Sequence, residues 1–419
     1  MKCVVNSILS LFMSTCLLSS AVWAQQVQAM KLLTPQVGWA LGQHLYWTAD
    51  SGTHWKAIDP HTVSKLSIVD AFFLNTSVGW ALMSGGDQDA NEPEFELAST
   101  TNAGGDWHVK RVRIPHVSGG GIALDGRGTV YFVDADHGWM NLWVVSSTAF
   151  RLGALLMTED GGKTWKWAPD GSDAGAGTVY FIRPTDGWIA GGSGDQQLYV
   201  THDGAKTWHK VALKTPSPIT PEYTASYVVP TFHDRKHGFL PVTYTDGDDG
   251  EAILVLFASD DGGQNWKTDH VLPRRGYLSG ENVPTTVADS VLLAAPNSSS
   301  DGAISLTIAP RGAKERTAVA HVSSGRFAIS QLSFVEPSRG WVSCSNGLFS
   351  TQDAGVTWTN ITPSAQARGG GHAARRHWKV GGVTGVAQPA PLVGSQAPTV
   401  ATQLGFDKCP SPTLPQMAA

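Results

Sequence analysis

Cysteine is scarce in this chain, which has only four among 419 residues. Cys3 and Cys16 lie in an apolar N-terminal stretch, and the other two, Cys344 and Cys409, are far apart in the sequence. Small folds held together by disulfides need many regularly spaced cysteines, so that class is excluded. We therefore expect the fold to depend on its hydrophobic core.

Charged residues are also few, at 16% of the chain, and the formal net charge is −5. A protein whose main partner is nucleic acid needs a basic surface, which this balance does not favour. The sequence has no Gly-x-Ser-x-Gly motif, no phosphate-binding loop and no dinucleotide fingerprint, and its fourteen histidines show no tight metal spacing. The sequence thus predicts neither a cofactor nor a metal site.

The N-terminal segment has the composition of a targeting signal. Residues 1–24 predict a signal peptide, with Lys2 at its start, an apolar stretch at 4–18 and a small-residue cleavage site at 22–24. The mature chain is expected to begin near Gln25, without a transmembrane segment, in a secreted or periplasmic location. A lipoprotein with Cys16 lipidated is the alternative, although the three residues before it fit a lipobox poorly.

Glycine and tryptophan, by contrast, are abundant, with 46 and 16 copies. Six of the tryptophans end copies of one eight-residue phrase, Ser/Thr-x-Asp-x-Gly-x-x-Trp, and a repeat of this kind indicates a repeat architecture. The six copies are TADSGTHW (48–55), TTNAGGDW (100–107), TEDGGKTW (158–165), THDGAKTW (201–208), SDDGGQNW (259–266) and TQDAGVTW (351–358).

Each phrase predicts a hairpin turn with a hydrophobic anchor. Its hydroxyl and carboxylate can bond the backbone of a tight turn, its glycine allows a positive φ, and its indole packs between neighbouring units. We therefore predict a structural role for the aspartates (and the one asparagine) and for the tryptophans of the phrase. No catalytic role is predicted, since each copy of the phrase belongs to a separate unit and the carboxylates do not converge. The sets are Asp50, Asn102, Asp160, Asp203, Asp261 and Asp353, and Trp55, Trp107, Trp165, Trp208, Trp266 and Trp358.

A second signal, a Gly-Trp or Gly-Phe pair, precedes each phrase. Most of these pairs follow another apolar run, so one unit reads as four short strands, which is one blade of a β-propeller. The gap between Trp266 and Trp358 is about twice the others, and it contains three strand-like segments around Ala309-Pro310-Arg311-Gly312. Counting a blade there that has lost its phrase predicts an all-β fold of seven four-stranded blades over residues 25–363.

The combination resembles the Asp-box, or BNR, repeats of sialidases, sortilin-type receptors, xyloglucanases and the photosystem II assembly-factor family, and most of all the last. The resemblance covers about residues 30–363 and implies a propeller. The sialidase signature Arg-Ile-Pro is also present, as Arg113-Ile114-Pro115, but it follows the second box instead of preceding the first. Sialidases also need three arginines, a Tyr–Glu pair and six blades, so sialidase activity is not expected.

The face opposite the boxes is the predicted binding surface. Blade-to-blade connections expected there carry arginine and tyrosine, which are common in protein-binding hot spots and anion sites; solvated loop charges are the alternative reading. The predicted residues are Arg111, Arg113, Arg274, Arg275, Tyr277 and Arg311. Two acidic loops, at 87–94 and 246–251, are expected on the same face as solvated turns, the second having the oxygen density but not the spacing of a calcium loop.

The composition changes after residue 363. Residues 364–403 are rich in Gly, Ala and Pro and predict a flexible linker. Residues 404–419 resemble the opening of a secreted glycoside-hydrolase-like domain of unknown function, related to lysozyme-type muramidases. In that family a Gly-Phe-Asp motif, matched here by Gly405-Phe406-Asp407, opens the first strand, and its Asp is a candidate catalytic acid. The alternative is that these residues form a disordered tail.

Taken together, the sequence predicts a non-catalytic, monomeric scaffold that binds a protein or glycan ligand. The alternative is a glycan-active protein, acting through a sialidase-like pocket or as a truncated muramidase-like protein. Convergent carboxylates about 5–10 Å apart would favour the alternative, whereas a surface of arginines and aromatic rings would favour the scaffold.

Overall fold

The computed structural model describes residues 27–61, 66–85, 94–114, 124–144, 152–168, 177–191, 197–246, 252–274, 284–297, 302–323 and 327–363. These residues form seven antiparallel sheets and no helix, which confirms the predicted all-β propeller of seven blades. None of the described ranges contains a helix with the length and apolar character to cross a membrane. The signal peptide, the linker and the tail lie outside the described residues, as do the 87–94 loop up to Glu94 and most of the 246–251 loop.

Each blade runs from an inner to an outer strand in chain order, and among the described strands only blade five has its inner strand split in two. Blades one to three are β1 (Ala29–Leu32), β2 (Gly38–Leu41), β3 (Leu45–Thr48), β4 (Lys56–Ala57); β5 (Ser67–Phe73), β6 (Gly79–Gly85), β7 (Glu94–Thr100), β8 (His108–Arg111); and β9 (Leu124–Phe132), β10 (Gly138–Val144), β11 (Leu152–Thr158), β12 (Lys166–Trp167). Blades four and five are β13 (Thr178–Phe181), β14 (Gly187–Ala190), β15 (Leu198–Thr201), β16 (His209–Lys210); and β17 (Thr224–Tyr227), β18 (Thr231–Phe232), β19 (Gly238–Thr245), β20 (Ala252–Ser259), β21 (Lys267–Arg274). Blades six and seven are β22 (Thr285–Val287), β23 (Ser290–Pro296), β24 (Ala303–Pro310), β25 (Arg316–His321); and β26 (Ile329–Glu336), β27 (Arg339–Cys344), β28 (Gly347–Thr351), β29 (Thr359–Asn360).

This strand order gives the propeller two faces. Every box turn joins the third and fourth strands of a blade, and the turn between the first and second strands lies at the same end. We call that end the box face. The loops between second and third strands and the connections between blades lie at the other end, which we call the opposite face.

Aromatic rings fill the interfaces between consecutive blades. The buried Trp139 of β10 stacks on Phe181 of β13 with ring centroids 3.4 Å apart, and the box residue Trp208 meets Phe181 edge-on at 6.2 Å. Trp80, Phe132 and Trp165 repeat the arrangement one blade earlier. Such stacked and edge-on pairs add to the stabilisation from apolar burial, so these rings form much of the core.

In five of the six Gly-Trp or Gly-Phe pairs the glycine provides space for an inner-strand ring, whereas Gly38 lies against Trp341 of blade seven. A Cβ atom on Gly187 would lie 2.4 Å from the Phe181 ring of the same blade, and one on Gly138 would lie 2.5 Å from Phe132. Gly79, Gly238 and Gly340 stand in the same relation to the inner-strand phenylalanines of blades two, five and seven. The Gly-Trp pair is thus explained by close approach and not by a turn.

Blade six has kept its strands but lost its box, and Arg311 occupies the turn instead. The sequence predicted Arg311 in a connection on the opposite face, and that placement is wrong, because it follows β24 at the position of a box turn. Its guanidinium lies 2.8 Å from the carboxylate of Asp260, donates to the Ser259 carbonyl and stands 5.6 Å from the Phe239 ring. Arg311 therefore joins blade six to blade five on the box face.

Among the described strands none is shared at the closure of the ring, since blade one is formed by β1–β4 and blade seven by β26–β29. Met30 N donates to Gln331 Oε1 and Leu32 N to Ser333 Oγ across this seam. Trp55 Nε1 donates to the Ile361 carbonyl at 2.7 Å. Side chains thus hold the two chain ends together.

Candidate functional site

The box aspartates are fully engaged by their own turns. In blade three, Asp160 Oδ1 accepts from Thr158 Oγ1 and from the Thr164 backbone N–H, and its Oδ2 accepts from Thr164 Oγ1. The Thr158 hydroxyl also accepts from the Gly162 N–H, where two consecutive residues have positive φ. The same set of bonds recurs around Asp50, Asp203, Asp261 and Asp353.

Blade two shows why an asparagine can replace the aspartate. Asn102 Oδ1 keeps the backbone bond, to the Asp106 N–H, while its Nδ2 donates to the Asp106 carboxylate. Donor and acceptor have exchanged places between the third and seventh positions of the phrase. The box therefore requires a hydrogen-bonded pair and not a free acid, which is the chemistry of a turn.

These bonds also hold the box carboxylates ionised. Although burial opposes the shift, hydrogen bonds from Thr164 and Thr158 lower the pKa of Asp160 to about 2, and equivalent bonds lower those of Asp50 and Asp203 to about 2. A group that titrates so far below neutral pH carries no proton to give as a general acid.

Acid is expected to weaken the fold through these turns. Because the folded pKa lies below the unfolded value of about 3.9, each box carboxylate stabilises the native state above about pH 4, and that contribution is lost as the pH falls towards 2. Urea midpoints measured from pH 5 to pH 2.5 should fall steadily. Asp160→Asn should make this fall shallower, and an unchanged slope in that variant would contradict the assignment.

The opposite face has a cavity of 410 Å³ between blades one and two. Gln28, Gln43, Asp59, Ser67 and Met83 are among the side chains that line it. Asp59 is held by the Leu45 N–H at 2.7 Å and by His44 Nδ1 at 2.5 Å. Its carboxylate is thus fixed at the wall of the cavity.

Of the predicted arginines, Arg111 and Arg113 lie on this face. Arg111 ends β8, its side chain is 65% exposed, and its Nη2 donates to Glu94 Oε1 at 2.7 Å. Arg113 is exposed just beyond the buried Val112. Arg274 ends β21, opposite Ala252 on the neighbouring strand, while Arg275 and Tyr277 lie outside the described residues.

The sequence reasoning missed a further pair on this face, Arg127 and Trp143. The Arg127 guanidinium lies 4.2 Å from the centre of the Trp143 ring, and its Nε donates to Asp125 at 2.8 Å. Strand register brings the two together, since Leu142 pairs with Gly128 and Val144 with Leu124. Neither residue belongs to a motif, so only the general enrichment of arginine and tryptophan at binding surfaces could have indicated them.

One side chain from the inner strand of each blade lies near the box face, and we call these seven side chains the girdle. Lys31, Phe72, Tyr131 and Tyr180 occupy one half, with the Lys31 amine 5.4 Å from the Phe72 ring, and Thr231, Thr286 and Ser333 occupy the other. Tyr131 Oη donates to the Phe181 carbonyl, and Tyr180 Oη accepts from Phe232 N. These bonds connect neighbouring blades, so the girdle belongs to the scaffold.

Asp70, on the inner strand β5 of blade two, has a pKa well above its ordinary value. Burial raises the pKa of Asp70 to about 7, against the opposing effect of backbone hydrogen bonds from Val130 and Ala71. Asp70 Oδ2 accepts from Val130 N at 2.7 Å and so joins blade two to blade three. Its geometry fits a blade-to-blade contact.

The chain matches no protein-family model and no curated protein. Among solved structures it is similar to YCF48 bound to D1 peptide, at 15% identity and a TM-score of 0.46 over 79% of this chain and 94% of that one. It is also similar to the GH74 xyloglucanase from Xanthomonas campestris, at 14% identity and a TM-score of 0.53 over 81% of this chain. The match spans 55% of that enzyme's length.

A polysaccharide lyase of family PL25, an ulvan lyase, is similar at 10% identity and a TM-score of 0.43, over 70% of this chain and 83% of that one. At these identities the likenesses concern the fold alone. The seven sheets and the likeness to the xyloglucanase show that the chain has the fold of a seven-bladed β-propeller, which is the architecture that the resemblance to the photosystem II assembly-factor family implied.

Proposed function

We propose that this protein is a non-catalytic scaffold, exported from the cytoplasm, that binds a partner protein through the opposite face of blades one to three. The observation that supports this most strongly is the Arg127–Trp143 stack, an exposed guanidinium held over an indole. Export is supported by the signal-peptide pattern of residues 1–24. The intact mass of the exported protein tests the export. We expect a mass that corresponds to a chain beginning near Gln25, and a mass that includes the N-terminal segment would contradict export.

The distribution of acids favours binding over catalysis. Glycosidases of the usual kind need two carboxylates that converge on one bond, one of them protonated when the reaction starts. The box carboxylates are dispersed among separate blades, hydrogen-bonded and held ionised. Asp59, at the cavity wall, is bonded to His44 and to a backbone N–H, which is how an acid is fixed in place for recognition.

The opposite face has the side chains of a protein-binding hot spot. Arg111 and Arg127 are 65% and 59% exposed, and each lies beside a carboxylate of its own chain. A guanidinium carries five N–H donors, so an incoming carboxylate can join or displace these partners. The partly buried indole of Trp143 adds apolar surface beside Arg127, and the cavity between blades one and two offers room for a side chain. The fitting partner is a protein segment with acidic and apolar side chains.

Capture of exported proteins tests the proposal. The variant Arg111→Ala/Arg127→Ala/Trp143→Ala should weaken partner binding at least about 30-fold, the effect of losing about 2 kcal/mol at a hot spot. The matched control is Lys163→Ala/Lys206→Ala, which removes two exposed cations from box turns on the other face. It should bind like the wild type, and both variants should keep the wild-type melting temperature.

Two results would overturn the proposal. One is an equal loss of binding in both variants, which would mean that the opposite face has no special role. The other is specific binding to a glycan on an array that is lost in the Arg111→Ala/Arg127→Ala/Trp143→Ala variant, while no partner protein is captured. That result would favour the glycan-active alternative.

A further inference from the structure

We propose that the box-face turn between β18 and β19 binds one divalent transition-metal ion through His233, Asp234 and His237. Each residue offers one ligand atom, and the three atoms lie within 4.8 Å of one another. The proposal is independent of the binding function assigned to the opposite face.

The two imidazoles are already brought together. The His233 and His237 rings are nearly parallel, at 11°, with centroids 5.5 Å apart. His237 Nδ1 lies 2.7 Å from Asp234 Oδ2, so these two candidate ligand atoms already face each other. His233 Nε2 lies 3.7 Å from the same Asp234 oxygen.

Blade three contains the same turn without the first histidine. Asp134 Oδ1 accepts from the Asp136 and His137 N–H groups, as Asp234 Oδ1 does from Lys236 and His237. His137 Nδ1 likewise lies 2.9 Å from Asp134 Oδ2. The Asp–His pair is therefore a device of the turn, whereas His233 stands where blade three has Val133 and is not needed to form it.

The donor set favours a particular class of ion. Imidazole nitrogen with a carboxylate suits Zn²⁺, Cu²⁺ or Ni²⁺, while Mg²⁺ and Ca²⁺ prefer oxygen ligands alone. Zinc–nitrogen bonds of about 2.0–2.1 Å need the ligand atoms closer together than they are here. The three side chains are partly exposed, so they can rotate to bring these atoms closer. Asp260, whose Oδ1 lies 3.9 Å from His237 Nε2, adds negative charge beside the site.

The neighbouring cations limit the affinity. Arg235 and Lys236 lie in the same turn, and Arg311 is bonded to Asp260. Their positive charge opposes that of the metal, so we expect micromolar and not nanomolar binding.

Calorimetric titration of the metal-free protein with Zn²⁺ tests the site. One ion should bind to the wild type, and His233→Val should weaken that binding at least tenfold. His202→Val is the matched control, because His202 lies on the same face and pairs with a single carboxylate, that of Asp186. It should bind zinc like the wild type.

A gain of function makes the test sharper. Val133→His gives blade three the residue that distinguishes blade five, so zinc stoichiometry should rise from one to two. Melting curves in EDTA should be similar for the wild type and His233→Val, since valine is natural in the equivalent turn, whereas Val133→His should melt at a lower temperature because Val133 packs against the core. Equal zinc affinity in the wild type and His233→Val, or an unchanged stoichiometry in Val133→His, would overturn the proposal.

Discussion

Phe181→Ala is expected to destabilise the protein by about 3–5 kcal/mol, the usual cost of removing a buried aromatic ring. Phe181 is 1% exposed and lies between two indoles, stacked on Trp139 and edge-on to Trp208. Its loss removes contacts within blade four and across the interface with blade three. Denaturant unfolding followed by tryptophan fluorescence measures the change.

The same ring explains the Gly-Trp pair, and a double-mutant cycle tests that explanation. Gly187→Ala alone should cost about 1–3 kcal/mol, because the new Cβ atom would meet the Phe181 ring at 2.4 Å. In the Phe181→Ala background the ring is gone and the cost should largely vanish. The control is Gly340→Ala, whose Cβ would meet Phe334 in blade seven, and it should be additive with Phe181→Ala. Additivity for the Gly187 pair would refute the close-approach explanation.

Trp55→Ala is expected to open the ring at the seam between blades one and seven. Its indole donates to the Ile361 carbonyl and lies 5.5 Å from the Trp341 ring, so truncation should cost about 3–5 kcal/mol. Because no strand is shared across this seam, the two terminal blades can separate before the rest unfolds. X-ray scattering in low denaturant should show an increased radius of gyration before the main transition.

Trp107→Ala is the matched control for the seam. Trp107 Nε1 donates to the Ile58 carbonyl at 2.7 Å, which is the same bond between two blades joined by continuous chain. A similar loss of stability is expected, but without early expansion. If the two variants expanded alike, the seam would not be the weak point of the ring.

Blade number and strand order could be predicted from the sequence because the box and the Gly-Trp pair are local signals. Each box closes its hydrogen bonds within five residues, as between Thr158 and Gly162, so its pattern persists wherever the turn forms. The seventh blade could be counted from its apolar strands alone, since burial of strands such as β24 survives the loss of the box.

Features that depend on contacts between residues distant in the sequence could not be predicted from local patterns. Arg311 was assigned to the wrong face because, without a box, its turn resembled a connection between blades. The seam bonds join residues about 300 positions apart, such as Leu32 and Ser333, and no periodicity reports them. Arg127 and Trp143 meet only through the register of β9 and β10. The turn proposed to bind a metal was not predicted, because a single His-x-x-x-His spacing on a loop carries little information without coordinates.

The central claim is that the two faces of the propeller have separate roles, architecture at the boxes and recognition opposite them. Hydrogen–deuterium exchange of the protein with its captured partner tests this most directly. The account predicts that partner binding slows exchange around Arg111 to Arg113, at the start of β9 and at the end of β10, and leaves the six box turns unchanged. Protection of the box turns, with none on the opposite face, would contradict it.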